Sequence, residues 1–396
     1  MNKERALLIT LALIQFTHVM DFMVMMPLST MFMRDFQISA ASFGLVVASY
    51  NISAGVVSVA GAFFIDRFDR RKVMMVCFAG FTLGTLICGM SNGYTMFLAA
   101  RIFTGLFGGV ISSTMLSIVS DVVPLERRAS AMAVVYMGFS AAAIAGVPVG
   151  SYVAAQTHWH VPFLAIATMA AIIFIPLMRY MPVLSGHIEE ARKRNPAAQM
   201  LEILRSDKRM MGLLLMILLM FGHFSIIPYI PQYLVHNVGM AETDVPLIYL
   251  VGGLTSVVVM RVVGKLSDKF GSFIVFSSLS VLAGIPILAI TNLSTSSLVI
   301  ILLLAAALFT FGGSRGVPAN TLISSTAPPH LRGGFLSLNS AMQQLGAGLA
   351  SFIGGFLIAD GPHDTVLNYD HVGYFAVAAS LVAIPVALYI RPKLAK

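Results

Sequence analysis

Charge is the scarcest property of this chain. Asp, Glu, Lys and Arg together make up 11% of its 396 residues, while hydrophobic residues make up 58%. A water-soluble domain of this length has no means of burying so much apolar side chain, so a soluble globular fold is excluded and lipid is the expected solvent. Cysteine is nearly absent. Cys77 and Cys88 are the only two, and on one expected helix they stand about 16 Å apart along its axis, so they cannot bridge and no disulfide framework exists. Phosphate loops, dinucleotide fingerprints and metal-ligand spacings are also missing, which excludes transport driven by this chain's own ATP hydrolysis and leaves no cofactor or metal to assign. The one hydrolase-like string, Gly312-Gly313-Ser314-Arg315-Gly316, lies inside an apolar helix with no preceding strand, so the match is accidental and no enzyme is expected.

Long apolar runs take the place of all this. Windows of spanning length fall at 6–33, 42–65, 73–90, 95–122, 129–156 and 161–178 and again at 210–235, 245–267, 273–290, 297–326, 333–359 and 372–390. They predict an all-α membrane protein with twelve transmembrane helices. The first run is too long for a signal peptide, is interrupted by His18 and Asp21, and lacks a small-residue cleavage site, so it reads as a retained span.

The net charge of +8 resembles that of a nucleic-acid binder, but its placement argues otherwise. All lysines and arginines except Arg34, Arg101, Arg261 and Arg315 fall in segments that would face one side of the membrane. By the positive-inside rule that side is the cytoplasm, with both termini on it, in a cell inner or plasma membrane. The polar stretch 179–209 is the one linker, and within it His187 to Arg194 and Met200 to Arg209 read as short amphipathic helices on the inner leaflet. It separates bundles at 1–178 and 210–396.

The two halves echo each other. Asp66-Arg67-Phe68-Asp69-Arg70-Arg71-Lys72 returns in shorter form as Asp268-Lys269-Phe270-Gly271, and Phe103-Thr104 with Gly108-Gly109 returns as Phe309-Thr310 with Gly312-Gly313. One membrane unit built twice is a transporter's organisation. Counting only Asp, Glu, Lys, Arg, His, Asn and Gln, spans 3, 6, 9 and 12 carry none. Span 1 carries Gln15, His18 and Asp21; span 4 Arg101 and Asp121; span 7 His223 and Gln232; span 10 Arg315 and Asn320. Strongly polar groups in hydrocarbon face the protein interior or a watery cavity, so spans 1, 4, 7 and 10 are expected to line a path and every third span to face lipid.

Asp21 is the one carboxylate deep in a span. Holding it ionised at mid-bilayer costs about 2.5–3.5 kcal/mol, which points to proton coupling or cation binding, against the alternative of a structural pair with an arginine. His18, one helical turn earlier, shares its face and either shares the proton or is a hydrogen-bonded core histidine. Arg101 either snorkels to the outer headgroups or is a fixed charge beside Asp21. Arg315 is expected to face the cavity, binding an anionic substrate group or balancing Asp21. With it go His223, Tyr229, Gln232, Asn320 and Gln343 as candidate substrate contacts, Tyr229 and Gln232 alternatively belonging to the outer aromatic belt.

The loop after span 2 resembles the signature of the major facilitator superfamily, with matches at Asp66, Arg67, Arg70 and Arg71 and departures at Asp69 and Ala62, where glycine is usual. The stretch Arg101 to Gly109 is similar to the arginine-bearing motif of drug:proton antiporters. Gly146-Val147-Pro148-Val149-Gly150 is similar to the exporter motif in span 5, in a form closest to the arabinose and sugar-efflux branch. The resemblance implies two pseudo-symmetric six-helix bundles rocking by alternating access. It implies a cytoplasmic latch of Asp66, Arg67, Arg70, Arg71, Asp121 and Asp268, in which Asp66 caps the amides near Gly333 and Arg70 pairs with Asp121. The expectation is a monomeric, proton-driven exporter of a small organic molecule such as a drug, sugar or siderophore, its partners being substrate, protons and the bilayer. Uptake of a sugar or organic acid by symport or facilitation is the alternative, and a non-transporting membrane sensor ranks below both.

Overall fold

A computed structural model describes residues 3–61, 63, 65–124, 127–185, 188, 196–328, 331–362 and 365–391, with the side chains of residues 66 and 129 outside that set. The first half runs α1 (Lys3–Met23), α2 (Ser29–Phe36), α3 (Ala40–Gly61), α4 (Arg70–Gly89), α5 (Tyr94–Val122), α6 (Arg128–Ala141), a π-helical turn (Ala142–Gly146), α7 (Val147–Gln156) and α8 (His160–Tyr180). The second half runs α9 (Pro196–Leu204), α10 (Asp207–Phe224), α11 (Ile230–His236), α12 (Val245–Phe270), α13 (Ser272–Thr291), α14 (Leu298–Leu308), a second π turn (Phe309–Gly313), α15 (Gly316–Ser325), α16 (Arg332–Leu357) and α17 (Tyr369–Ile390). A two-residue antiparallel pair, β1 (Ala359–Asp360) with β2 (Val366–Leu367), joins the last two helices.

Among the described residues, 11 helical segments are long and apolar enough to cross a membrane. The expected eleventh span is the exception. Helix α16 has the length, at 26 residues, but Asn339, Gln343, Gln344 and its glycines leave it less apolar than the rest.

Proline sets where spans break. Spans 1 and 7, each expected as one run, are interrupted. Helix α1 ends at Met23, four residues before Pro27, and α10 ends at Phe224, four residues before Pro228. Proline lacks an amide hydrogen and its ring collides with the carbonyl four residues back, so the helix stops there. Pro148 acts on span 5 in the same way. The carbonyl it strands belongs to Ile144, inside the π turn, where the widened coil absorbs the mismatch.

The chain divides into two compact units, one of Met1–Met25 with Ser49–Ala197 and the other of Met26–Ala48 with Ala198–Lys396. This differs from the bundles 1–178 and 210–396 read off the sequence. The break after α1 releases α2 to lie against α11 in the second unit, and the start of α3 follows it. Tyr229 supplies the reason for the second contact. It is fully buried, donates to the Ser351 carbonyl at 2.5 Å, and sits where any side chain on Gly44 or Gly355 would collide with its hydroxyl.

In the first unit, α4 packs along α5 and α8, and α1 along α6 and α8. Its core gathers Leu11, Ile14, Phe78, Phe81, Ile111, Met115 and Ile118, all 0–1% exposed. In the second unit, α10 packs against α16 and α17. Of the two expected surface helices, the second is shorter and earlier than predicted. Helix α9 ends at Leu204, and Arg209 donates to the carbonyls of Glu202 (2.6 Å) and Ile203 (3.3 Å), closing its last turn. Of the first, His187 to Arg194, only Ile188 is among the described residues.

Candidate functional site

Four helices of the first unit converge on Asp21. Its Oδ2 accepts from Arg101 Nη1 at 2.7 Å and its Oδ1 from Thr85 Oγ1 at 2.9 Å. The Arg101 guanidinium also lies over the Tyr50 ring, 4.4 Å from its centroid, and the Tyr50 hydroxyl shares a 3.0 Å hydrogen bond with His18 Nε2. Phe22 stacks on Tyr50, and Phe81 lies tilted against His18. One polar chain therefore runs His18–Tyr50–Arg101–Asp21–Thr85 through an apolar interior. The Asp21 side chain is 0% and the Arg101 side chain 1% exposed. Arg101 therefore does not reach the headgroups.

An ion pair removed from water holds together only if geometry and extra hydrogen bonds offset its desolvation. Here the carboxylate has two donors and the guanidinium a carboxylate and an aromatic face. Two buried nitrogens, Arg101 Nε and His18 Nδ1, have no hydrogen-bond partner among the described residues. Because Asp21 has no exposed surface, exchange of a proton with either aqueous side requires α1 or its neighbours to move.

Span 5 is built against the same stretch of span 1. A Cβ on Gly146 would meet Phe16 and Met20, and one on Gly150 would meet Met20 and Val24. The Gly146-Pro148-Gly150 motif thus lies alongside the turn of α1 that carries Asp21, with the π turn at its start.

The charged loop after α3 forms a second polar group. Arg70 Nε lies 2.5 Å from Asp121 Oδ2, at the end of the 29-residue helix α5. Arg71 donates to the Met178 carbonyl at 2.9 Å, in the last turn of α8. Asp69 caps the start of α4. Its Oδ1 accepts from the amides of Arg71 (2.7 Å) and Lys72 (3.2 Å), while Oδ2 accepts from the Leu184 amide at 3.0 Å. Arg67 and Asp268 are exposed. The expected contact of Asp66 with the amides near Gly333 rests on a side chain outside the described residues.

The residues expected to contact substrate in the second half differ in burial, and Arg315 and His223 both lie beside Gly312. Arg315 is 1% exposed, so it does not face an open path, and Asp21 is balanced by Arg101 and not by it. Its guanidinium donates to Ser380 Oγ (2.6 Å), the Gly222 carbonyl (2.9 Å) and the Gly312 carbonyl (3.1 Å). His223 is half-buried beside Phe309 and Phe224. Tyr229 and Gln232 are buried, whereas Asn320 and Gln343 are exposed. Asn320 donates to the Gly316 carbonyl of its own helix.

Sequence reasoning passed over Tyr50, Thr85 and Asp69. Counting only strongly polar residues made span 3 featureless and left out the hydroxyl that holds Asp21 from it. Asp69 was read only as a departure from a motif, although Asp immediately before a helical run is itself a capping signal.

The Major Facilitator Superfamily description matches residues 11–351. The uncharacterized MFS-type transporter YbcL of Bacillus subtilis (strain 168) is 27% identical over 328 residues, 82% of this chain and 81% of that protein. Multidrug resistance protein 2 of the same organism is 23% identical over 366 residues, 90% of each. In fold, the chain is similar to a bacterial homologue of the human lysosomal transporter Spinster, in an inward-facing and unoccupied conformation, with TM-score 0.78 and 15% identity over 100% of this chain and 99% of that one. This multi-pass helical protein belongs to the Major Facilitator Superfamily, a family of transporters and not of enzymes.

Proposed function

We propose that this transporter exports a small organic molecule in exchange for protons by alternating access, with Asp21 as the group that carries the proton. The observation that supports this is the Asp21–Arg101 pair, sealed in an apolar interior at 2.7 Å. Protonating Asp21 removes the charge that holds Arg101, and the guanidinium keeps the Tyr50 face. Thr85 can reverse its hydrogen bond, accepting from the protonated acid where it now donates. Loading and release of the proton therefore change the force between α1 and α5. Residues at the break after Met23 and at the π turn of span 5 are the places where these helices can bend in response.

Export, as the direction, is supported by the glycine–proline motif of span 5 lying against the Asp21 turn, and by the name of Multidrug resistance protein 2 among the relatives. In the proposed cycle Asp21 takes a proton from outside, substrate leaves outward, and the proton is released inward. Transport by Asp21→Asn in vesicles of known orientation under an imposed pH gradient tests this. Loss of gradient-driven flux with exchange of bound substrate retained is expected. Full gradient dependence in the variant would refute the assignment, and substrate flux in the wild type towards the side that receives the protons would fix the reading as uptake by symport.

A further inference from the structure

Away from the Asp21 cluster, the turn between α7 and α8 presents two imidazoles to each other. His158 and His160 meet Nδ1 to Nδ1 at 2.7 Å, with ring centroids 4.5 Å apart. His160 Nε2 lies 3.0 Å from the carbonyl oxygen of Ser91, in the turn between α4 and α5. A carbonyl only accepts, so the hydrogen of His160 is on Nε2, and in the neutral ring Nδ1 is left as a lone pair aimed at His158. His158 then donates from its own Nδ1. Trp159, 1% exposed, stacks on the His160 ring at 3.6 Å and is itself set edge-on against Phe97 and Phe163. The ring is therefore fixed in plane, in tautomer and in direction, while His158 is exposed.

We propose that His158 and His160 form a binding site for a divalent transition metal such as copper, nickel or zinc, on the face that the lysine and arginine distribution assigns to the outside. An imidazole that ligates a metal commonly donates its other ring N–H to a backbone carbonyl, which raises its basicity and fixes its orientation. The His160–Ser91 bond is that arrangement, already in place. On binding, His158 moves its hydrogen from Nδ1 to Nε2, and the metal takes the position between the two Nδ1 lone pairs. Metal–nitrogen distances of about 2.0–2.1 Å in tetrahedral geometry place the two nitrogens about 3.4 Å apart. The exposed His158 turns outward by less than 1 Å (~0.7 Å) to reach that separation. No cluster of three or more His, Cys, Asp or Glu ligands occurs among the described residues, so water completes the coordination. Because the ligands tie the α7–α8 turn to the α4–α5 turn through Ser91, an occupied site stiffens this end of the first unit.

Trp159 is the chain's only tryptophan, which makes the test direct. The full chain, purified with a non-histidine tag, is titrated with Cu2+ while tryptophan emission is followed, and with Zn2+ as a competitor that does not quench. One Cu2+ per chain, quenching the emission and showing two equatorial nitrogens in its electron paramagnetic resonance spectrum, is expected. His158→Ala is expected to weaken the copper midpoint at least tenfold and leave a single-nitrogen spectrum, with thermal unfolding in the absence of metal unchanged. His236→Ala and His371→Ala serve as controls and should leave the midpoint where it is. An unaltered midpoint in His158→Ala, or a wild-type spectrum with one nitrogen or none, would overturn the site. Should His160→Ala fold poorly, the His158 variant and the spectrum decide the matter alone.

Discussion

Arg315 donates to the Gly222 carbonyl at 2.9 Å, in the same span-10-to-span-7 pairing by which Arg101 reaches Asp21 from span 4 to span 1. The two halves thus repeat a buried arginine but not its acid. Gly222 lies in the last turn of α10, and Gly312 at the end of the second π turn. Helix ends of this polarity carry partial negative charge, so Arg315 is stabilised by two carbonyl ends and a serine in place of a carboxylate. A titratable acid beside a buried arginine is therefore a property of the first unit, and the second unit's arginine acts as a brace.

The brace leaves no room at Gly222. A Cβ there would stand 2.7 Å from Arg315 Nη2 and closer still to Ser380 Oγ. Gly222→Ala is expected to destabilise by about 1–3 kcal/mol, the usual cost of overpacking, seen as a lowered unfolding temperature in detergent. Combining it with Ser380→Gly removes the nearer collision and should recover part of the loss.

The Asp21–Arg101 pair makes a sharper prediction through a double-mutant cycle. Removing one member of a buried pair strands the other charge, at a cost of about 3–5 kcal/mol. Asp21→Asn and Arg101→Met should each lower thermal stability on that scale. The double variant, with neither charge, should be more stable than either single one. Additive losses would show that the two side chains are not coupled.

Asp69 is tested by exchange. Asp69→Gly should cost only a few tenths of a kcal/mol at the cap itself, but it also releases the Leu184 amide. Asp69→Ala should cost about 1 kcal/mol. In both variants, hydrogen exchange measured by mass spectrometry should accelerate at Arg71, Lys72 and Leu184, with no change in the interior of α5. Unchanged exchange at Leu184 would mean the linker's start is held by other contacts.

Much of the helical layout was legible because apolar length is a local signal. The stops at Met23 and Phe224 are not legible from proline alone, because Pro176, Pro286 and Pro385 lie inside unbroken helices. The pairing of Arg101 with Asp21 was one of two readings of the residues, against snorkelling to the headgroups, and the resemblance to drug:proton antiporters favoured it. Less was legible wherever an interaction depends on a small or neutral group. The Thr85 hydroxyl, the Tyr50 ring and the Gly222 carbonyl leave no mark in a count of charged residues. The regrouping of Met26–Ala48 was equally hidden, because it depends on Gly44 and Gly355 having no side chain beside Tyr229. Two glycines 311 positions apart carry no sequence signal that they face one hydroxyl.

That slot gives the last prediction. Gly44→Ala would drive a methyl into the Tyr229 hydroxyl and set it 2.9 Å from the Ser351 carbonyl, so α3 must shift away from α16 or Tyr229 must leave. A destabilisation of about 1–3 kcal/mol is expected. Tyr229→Phe removes the hydroxyl and its 2.5 Å bond to Ser351, costing about 0.5–1.5 kcal/mol by itself. The combined variant lacks the worse of the two collisions, so its loss should fall short of the sum by more than the roughly 0.3–0.5 kcal/mol scatter of independent sites. Thermal unfolding of the four proteins in one detergent measures the difference. A purely additive result would mean that Gly44 is small for the sake of the Ser351 backbone and not for the tyrosine.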